Sequence, residues 1–151
     1  MTTVGICGDN CMYCPRYLAT LSGKTEELEK VKELWLRLGL RDPALPAQDL
    51  VCYGCAPENN CAYSELRTCV YERSIESCGL CEAYPCALVN ATFEKSERLH
   101  VQAVSVCTSE EMELFRKAFF SKQQNIEKVR NERHEKGKAE RACRQVAGAD
   151  R

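Results

Sequence analysis

The chain has very little histidine and no long hydrophobic run. Only His100 and His134 occur among its 151 residues. Neither stands within a group of cysteines, so Cys/His zinc fingers are disfavoured and both histidines are expected at the surface. The first ten residues lack the basic start and apolar run of a secretory signal, and no stretch approaches the roughly 20 apolar residues of a membrane span. We therefore expect a cytoplasmic protein with no membrane contact.

A marked charge excess is also missing, and the apolar content is modest. The net charge of -1 argues against a nonspecific nucleic-acid coat. The hydrophobic fraction of 44% includes twelve cysteines, and 28% of the residues are charged. Since the chain has the size of one domain, its cysteine-rich front half needs stabilisation beyond apolar burial.

Cysteine is what the sequence has in excess, and ten of the twelve cysteines fall before residue 87 in three groups. The groups are Cys7, Cys11 and Cys14; Cys52, Cys55, Cys61 and Cys69; and Cys78, Cys81 and Cys86. Each group contains one Cys-x-x-Cys pair, whose tight turn aims two sulfurs at one ion. Because a reducing cytoplasm disfavours disulfides, we interpret these ten residues as metal ligands. The alternatives are reduced core cysteines without metal, and disulfides in an exported chain.

Eight thiolates complete two closed four-sulfur sites, so the sequence predicts about two zinc ions per chain. An iron–sulfur protein is the alternative, because thiolates hold a [4Fe–4S] cluster equally well. Cys107 and Cys143 have no second cysteine within ligand spacing and are expected to hold no metal.

The pattern of apolar residues predicts a mainly α protein: a small metal-stabilised domain over residues 1–100, built of cysteine-rich loops and short helices. Pro15 opens a two-turn helix that stops at Gly23, and a second, amphipathic helix extends from Thr25 to Gly39. Residues 41–50 form a connector, a short helix is expected over 64–73, and another extends from Pro85 towards Leu99. Residues 101–106 are a β-prone run without a partner strand, so no sheet is predicted.

The C-terminal third is expected to contain one long amphipathic helix within residues 101–136. Thr108 and Glu111 form a capping box at its start, with Cys107 and Met112 placed as a hydrophobic staple. Its apolar stripe, which includes Phe115 and Ile126, is expected to pack on the domain; a homodimer through this helix is the alternative. Residues 137–151 are expected to be a solvated charged tail.

The first cysteine group also has the spacing by which radical-SAM enzymes hold an iron–sulfur cluster. Such an enzyme needs alternating strands and helices after the motif, whereas a helix, a proline-containing connector and more cysteines follow here. No carboxylate pair stands with a nucleophile and a base in a hydrolytic arrangement. An enzyme is therefore not the favoured interpretation.

With CGDNCMYCPRY near its start, VCYGC in the middle and CGLCEAYPC at the end of the cysteine field, the chain resembles the DUF3795 family of uncharacterised cysteine-rich proteins from bacteria and archaea. The resemblance covers roughly residues 5–90. It implies zinc binding and carries no established activity. The family pattern often has a further cysteine three residues after the position of Cys61, where this chain has Ser64.

The ten cysteines supply two four-sulfur sites and leave two over, and the sequence does not assign the pairing. The preferred hypothesis joins Cys11 and Cys14 with Cys78 and Cys81. In that hypothesis Cys52 and Cys55 share a second site with two of three remaining cysteines, namely Cys61, Cys69 and Cys86.

Three functional classes follow from these observations. The first is a structural zinc protein that presents a surface to a protein or nucleic-acid partner, because closed four-cysteine sites leave no coordination position for a substrate. The second is an iron–sulfur redox or sensor protein. The third is a thiol protein that transfers metal ions. The metal present and its lability separate the three classes.

Overall fold

The computed structural model describes residues 4–147, with side chains as far as Arg141. Its α-helices are α1 (Pro15–Ser22), α2 (Thr25–Arg37), α3 (Ser64–Glu72), α4 (Ala87–Val106), α5 (Ser109–Ala118) and α6 (Lys122–Ala147). Short 3-10 helices occupy Cys11–Tyr13, Ala47–Leu50 and Cys78–Leu80. Extended pairing in residues 4–147 amounts to a single bridge, between Val4 and Asn10. The expectation of a mainly α protein with a long C-terminal helix is confirmed.

The first two helices form where the local signals place them. Pro15 stands at the start of α1, and Gly23 ends it in a left-handed conformation with φ of 66°. The apolar stripe of α2, including Val31 and Trp35, is buried. A glycine at the end and apolar residues at helical spacing are therefore sufficient to determine these two elements.

The β-prone run over 101–106 is the last part of α4. Ala103 is fully buried against the core, whereas Val101 and Val104 are 75% and 63% exposed. Burial of one helical face outweighs the weak strand preference of the valines, because β propensity depends on a pleated neighbour that this region lacks.

The single helix expected within residues 101–136 is divided among α4, α5 and α6. The capping box is confirmed: Thr108 accepts a hydrogen bond from the Glu111 N–H at 3.2 Å, and the Glu111 side chain accepts one from the Thr108 N–H at 2.9 Å. That box separates α5 from α4. A second break follows Phe119, which caps α5 and packs on Trp35. Because Phe119 and Phe120 both turn towards the protein interior, a continuous helix is interrupted there.

The last helix, α6, continues through Gly137 to Ala147, so residues 137–147 are helical where a tail was expected. Residues 148–151 and the Cys143 side chain lie outside the described part of the chain. None of the helices described, α6 included, combines the length and apolar character needed to cross a membrane.

The core consists of two clusters. The first joins α1, α2, the end of α4 and α5 around residues such as Trp35, Leu38 and Phe115. The second is smaller and joins the cysteine loops, α3, the start of α4 and α6 around Leu66, Val89 and Ile126. The apolar stripe that includes Phe115 and Ile126 therefore contributes to both clusters. Two cysteines, Cys7 and Cys78, belong to the second cluster.

Candidate metal centres

The structure divides the ten clustered cysteines between two cavities. The larger cavity, of about 400 Å³, is lined by six of them, which we name the six-cysteine site: Cys7, Cys11, Cys14, Cys52, Cys55 and Cys61. The smaller, of about 40 Å³, is lined by the other four, which we name the four-cysteine site: Cys69, Cys78, Cys81 and Cys86.

The preferred pairing from sequence is therefore wrong. Cys11 and Cys14 share a cavity with Cys52 and Cys55, and not with Cys78 and Cys81. Helix α1 is tied to the 52–61 loop, because Thr20 accepts a hydrogen bond from the Cys52 N–H at 2.9 Å. Helix α3 begins at Ser64, directly after that loop. It carries Cys69 away from that loop and towards the 78–86 loop.

The four-cysteine site is built on two local devices. Cys78 opens a 3-10 turn that closes with a hydrogen bond from the Cys81 N–H to the Cys78 carbonyl at 3.1 Å. Ser77 caps this turn by accepting a hydrogen bond from the Gly79 N–H at 3.2 Å. Cys86 is the N-cap residue of α4, so its sulfur lies at the positive end of a 20-residue helix. Local backbone structure therefore places the cysteines at both ends of the loop.

Of the four cysteines in the four-cysteine site, Cys78 is the buried one. Burial, followed by the proximity of Cys86, Cys69 and Cys81, raises the pKa of Cys78 to about 12. Arg73 lies beside Cys69, and the hydrogen bond with that sulfur raises the pKa of the guanidinium. A bound cation would remove the cost of ionising these thiols together.

Helix α6 covers the four-cysteine loop at close range. A Cβ at Gly79 would stand 2.5 Å from the Ile126 carbonyl oxygen, so only glycine fits between Cys78 and Leu80. Arg130 of α6 donates to the Cys81 carbonyl oxygen at 3.0 Å. The C-terminal helix thus holds the loop from outside.

The six-cysteine site joins two loops that are distant in sequence. Cys55 accepts a hydrogen bond from the Ile6 N–H at 3.2 Å, which ties the two loops directly. Cys14 is the N-cap of α1. Burial raises the pKa of Cys14 to about 11, opposed by N–H groups of Tyr17 and Arg16 that point to its sulfur. Burial, followed by the nearby Cys55, raises the pKa of Cys11 to about 12.

A buried ion pair stands at the edge of the six-cysteine site. Lys122, which is 2% exposed, contacts Asp9 and lies with Nζ 3.9 Å from the Cys7 sulfur. The Cys7 thiol donates to the other Asp9 oxygen at 3.3 Å. Burial raises the pKa of Cys7 well above its ordinary value, and Asp9 adds to the rise. Gly8, at φ of 87°, allows this contact because a Cβ there would stand 2.6 Å from the Lys122 carbonyl oxygen.

Arg16 is the least expected member of the site. It is 7% exposed and donates to the carbonyl oxygens of Leu50, Asn60 at 2.6 Å and Val51 at 3.0 Å. Within the described side chains it forms no ion pair with a carboxylate, although buried charges are normally paired. The nearby cysteines are therefore the candidate source of its counter-charge.

Sequence reasoning missed Arg16, Asp9 and Lys122. Arg16 follows Cys14-Pro15 directly, and Asp9 stands between Cys7 and Cys11, so a charge inside a ligand motif was the available signal. No sequence signal identifies Lys122, which reaches the site only through the packing of α6.

Cys107 and the two histidines lie outside the two cysteine sites. Cys107 is half-buried, packs against the first core cluster and lines neither cysteine cavity. The His100 ring stacks on Phe120 with centroids 4.5 Å apart, and His134 is exposed. Among the described residues, no three Cys, His, Asp or Glu side chains already stand at the mutual distances of a formed metal site.

Comparison with known proteins gives one result. A family model described as "Protein of unknown function (DUF3795)" matches residues 3–91, more than half of the chain. This span contains all ten clustered cysteines and ends early in α4. No curated protein and no solved structure matches the chain.

Proposed function

The chain belongs to the DUF3795 family, whose function is unknown, and we propose that it binds one metal centre in each of its two cysteine sites. The observation that carries this proposal is the division of ten cysteines between two cavities, six in one and four in the other. Each site contains one cysteine at a helix N-cap and at least one Cys-x-x-Cys turn. A Cys-x-x-Cys turn directs two sulfurs at one ion, and cysteine binds the ion as a thiolate.

The four-cysteine site fits a closed structural zinc site. Four thiolates at a Zn–S distance of ~2.3 Å lie about 3.8 Å apart, so the loop would contract around the ion. A 40 Å³ cavity leaves space for one ion and little else.

The buried Arg16 supports metal in the six-cysteine site. Four thiolates around one Zn²⁺ carry a net charge of about −2, which would balance a guanidinium that lacks a carboxylate partner. The larger cavity also favours a second candidate here, a [4Fe–4S] cluster, because it accommodates more than a single ion.

The role that fits these centres is structural. Together they join residues 7–14 to 52–61, and α3 to the start of α4, in the part of the core with the fewest apolar residues. By stabilising these segments, the two centres would keep the surface of the domain in a shape that a protein or nucleic-acid partner can bind. The exposed Val101 and Val104 on α4 are apolar residues that a protein partner would cover.

Elemental analysis of protein purified without oxygen tests the proposal. We expect about two zinc ions per chain, or one zinc ion and one iron–sulfur cluster with its brown colour. Cys78→Ser with Cys81→Ser should remove the centre of the four-cysteine site only. Cys11→Ser with Cys14→Ser should remove the other.

Cys107→Ser is the matched control and should retain both centres. The proposal fails if the unoxidised protein contains about half a metal ion per chain or less. Loss of both centres from either double variant, in a protein that keeps its helical circular dichroism, would contradict the division into two sites.

A further inference from the structure

The cavity of the six-cysteine site is ten times larger than that of the four-cysteine site, about 400 Å³ against about 40 Å³. A volume near 400 Å³ lies in the range of small-molecule sites, which are mostly apolar with a few polar groups.

Part of the cavity wall is aromatic. Trp35 meets Phe115 and Phe119 edge to face, with ring centroids 5.8 and 6.4 Å away, and Leu40 and Leu99 complete the wall. These rings belong to the first core cluster and are shielded from bulk solvent. Such a wall would bind the apolar part of a ligand.

The charged residues around the cavity are mainly cationic. Arg41 is half-buried beside Arg16, and Lys95 and Arg98 line the same cavity from α4. Within the described side chains, none of these four forms an ion pair, and the one acidic lining residue, Asp9, is already bound to Lys122. Four thiolates with a metal would offset about two of the four positive charges. Lys95 and Arg98 are exposed to solvent, so the charge that a bound anion would balance is that of the half-buried Arg41.

We propose that this cavity binds a small organic carboxylate, with its apolar body against Trp35 and Phe115 and its carboxylate towards Arg41. Arg41 is the partner because its guanidinium combines partial burial with a planar fork that matches a carboxylate. The inference rests on the proposed function only in that the metal centre forms the cysteine side of the cavity.

Trp35 is the only tryptophan in the chain, so its fluorescence reports on this cavity alone. Titration of the metal-loaded protein with hexanoate should give a saturable fluorescence change, confirmed by calorimetry. Hexanamide, the neutral analogue, should bind about ten- to a hundredfold more weakly, because it loses the charge-assisted hydrogen bonds. From butanoate to octanoate, affinity should rise roughly three- to fourfold per methylene.

Arg41→Gln should weaken hexanoate binding about tenfold or more and leave hexanamide unchanged, while Arg41→Lys should restore part of the difference. Arg133→Gln, which changes an exposed arginine of α6, should behave as the unaltered protein. No saturable binding of hexanoate up to about 10 mM, or equal binding of acid and amide, would overturn the inference.

Metal content measured on the same samples separates the two proposals. A protein with metal that does not bind hexanoate refutes the carboxylate site alone. A protein without metal refutes the proposed function, and the acid-to-amide ratio still decides the carboxylate site.

Discussion

Replacing Arg16 by methionine tests how the six-cysteine site is held together. Methionine keeps the length of the side chain but removes its charge and its hydrogen bonds to three carbonyl oxygens, those of Leu50, Val51 and Asn60. An acceptor left buried and unpaired costs about 1–3 kcal/mol. The hydrogen bond to Leu50 is buried and those to Val51 and Asn60 are part-buried, so all three carbonyls would lose a shielded partner. We expect the free energy of unfolding to fall by about 3–6 kcal/mol.

Arg67 offers a matched control, since it also donates to three carbonyl oxygens: Ala56 at 2.8 Å, and Asn59 and Pro57 at 3.0 Å. Arg67 does not line the six-cysteine cavity, and its contact with Pro57 is exposed. Arg67→Met should therefore cost only about 1–2 kcal/mol, because water replaces part of what is lost. Metal content should be unchanged.

Thermal unfolding followed by circular dichroism measures the difference. A loss of 3–6 kcal/mol corresponds to a Tm decrease of roughly 6–24 °C for a chain of this size. Arg16→Lys should retain metal because it retains the charge, yet it should be less stable than the unaltered protein because one ammonium cannot span three carbonyls in a fork. If Arg16→Met unfolds within about 1 kcal/mol of Arg67→Met and keeps its metal, the role assigned to Arg16 is refuted.

Three further predictions follow from the packing of the helices. Gly79→Ala should lower the free energy of unfolding in urea by about 3 kcal/mol, because the added Cβ would meet the Ile126 carbonyl oxygen. The control Gly137→Ala, whose Cβ would meet only a side chain at 3.8 Å, should raise it by up to about 1 kcal/mol. Equal effects of the two substitutions would argue against close packing of α6 on the loop. Thr108→Ala should lower the free energy of unfolding by about 1 kcal/mol, because it removes the capping box, and the control Ser109→Ala should leave it almost unchanged. If neither substitution changes the thermal midpoint, the stabilising role of the cap is contradicted. Chelation of bound metal should raise the amide hydrogen-exchange rates in α3 and α6 and leave α2 and α5 protected, because the second core cluster is the smaller and contains cysteines. A uniform loss of protection would show that the two clusters unfold together.

Elements set by local chemistry were predictable from the sequence. Pro15, Gly23 and the Thr108–Glu111 capping box act within one or two turns of chain, and the structure has each of them in place. The break after Phe119 was not predictable, because it depends on the position of Trp35, more than 80 residues earlier in the chain.

For the cysteines too, the sequence predicted local features but not contacts between distant segments. Spacing identified all ten residues that line the two cavities, because Cys-x-x-Cys turns are local features. It could not assign Cys69, which lies near Cys61 in sequence but is carried by α3 to the other site. Arg16 and Lys122 were missed since their burial follows only from contacts with distant segments.

The position of α6 outside both cysteine loops sets an order of events during synthesis. The last of the ten cysteines, Cys86, precedes Lys122 by 36 residues, which takes a ribosome roughly 2–7 seconds to add. During that interval the loops exist without the helix that contacts Gly8 and Gly79. During synthesis the cysteine side chains of both sites are therefore more accessible to solvent than they are in the folded protein.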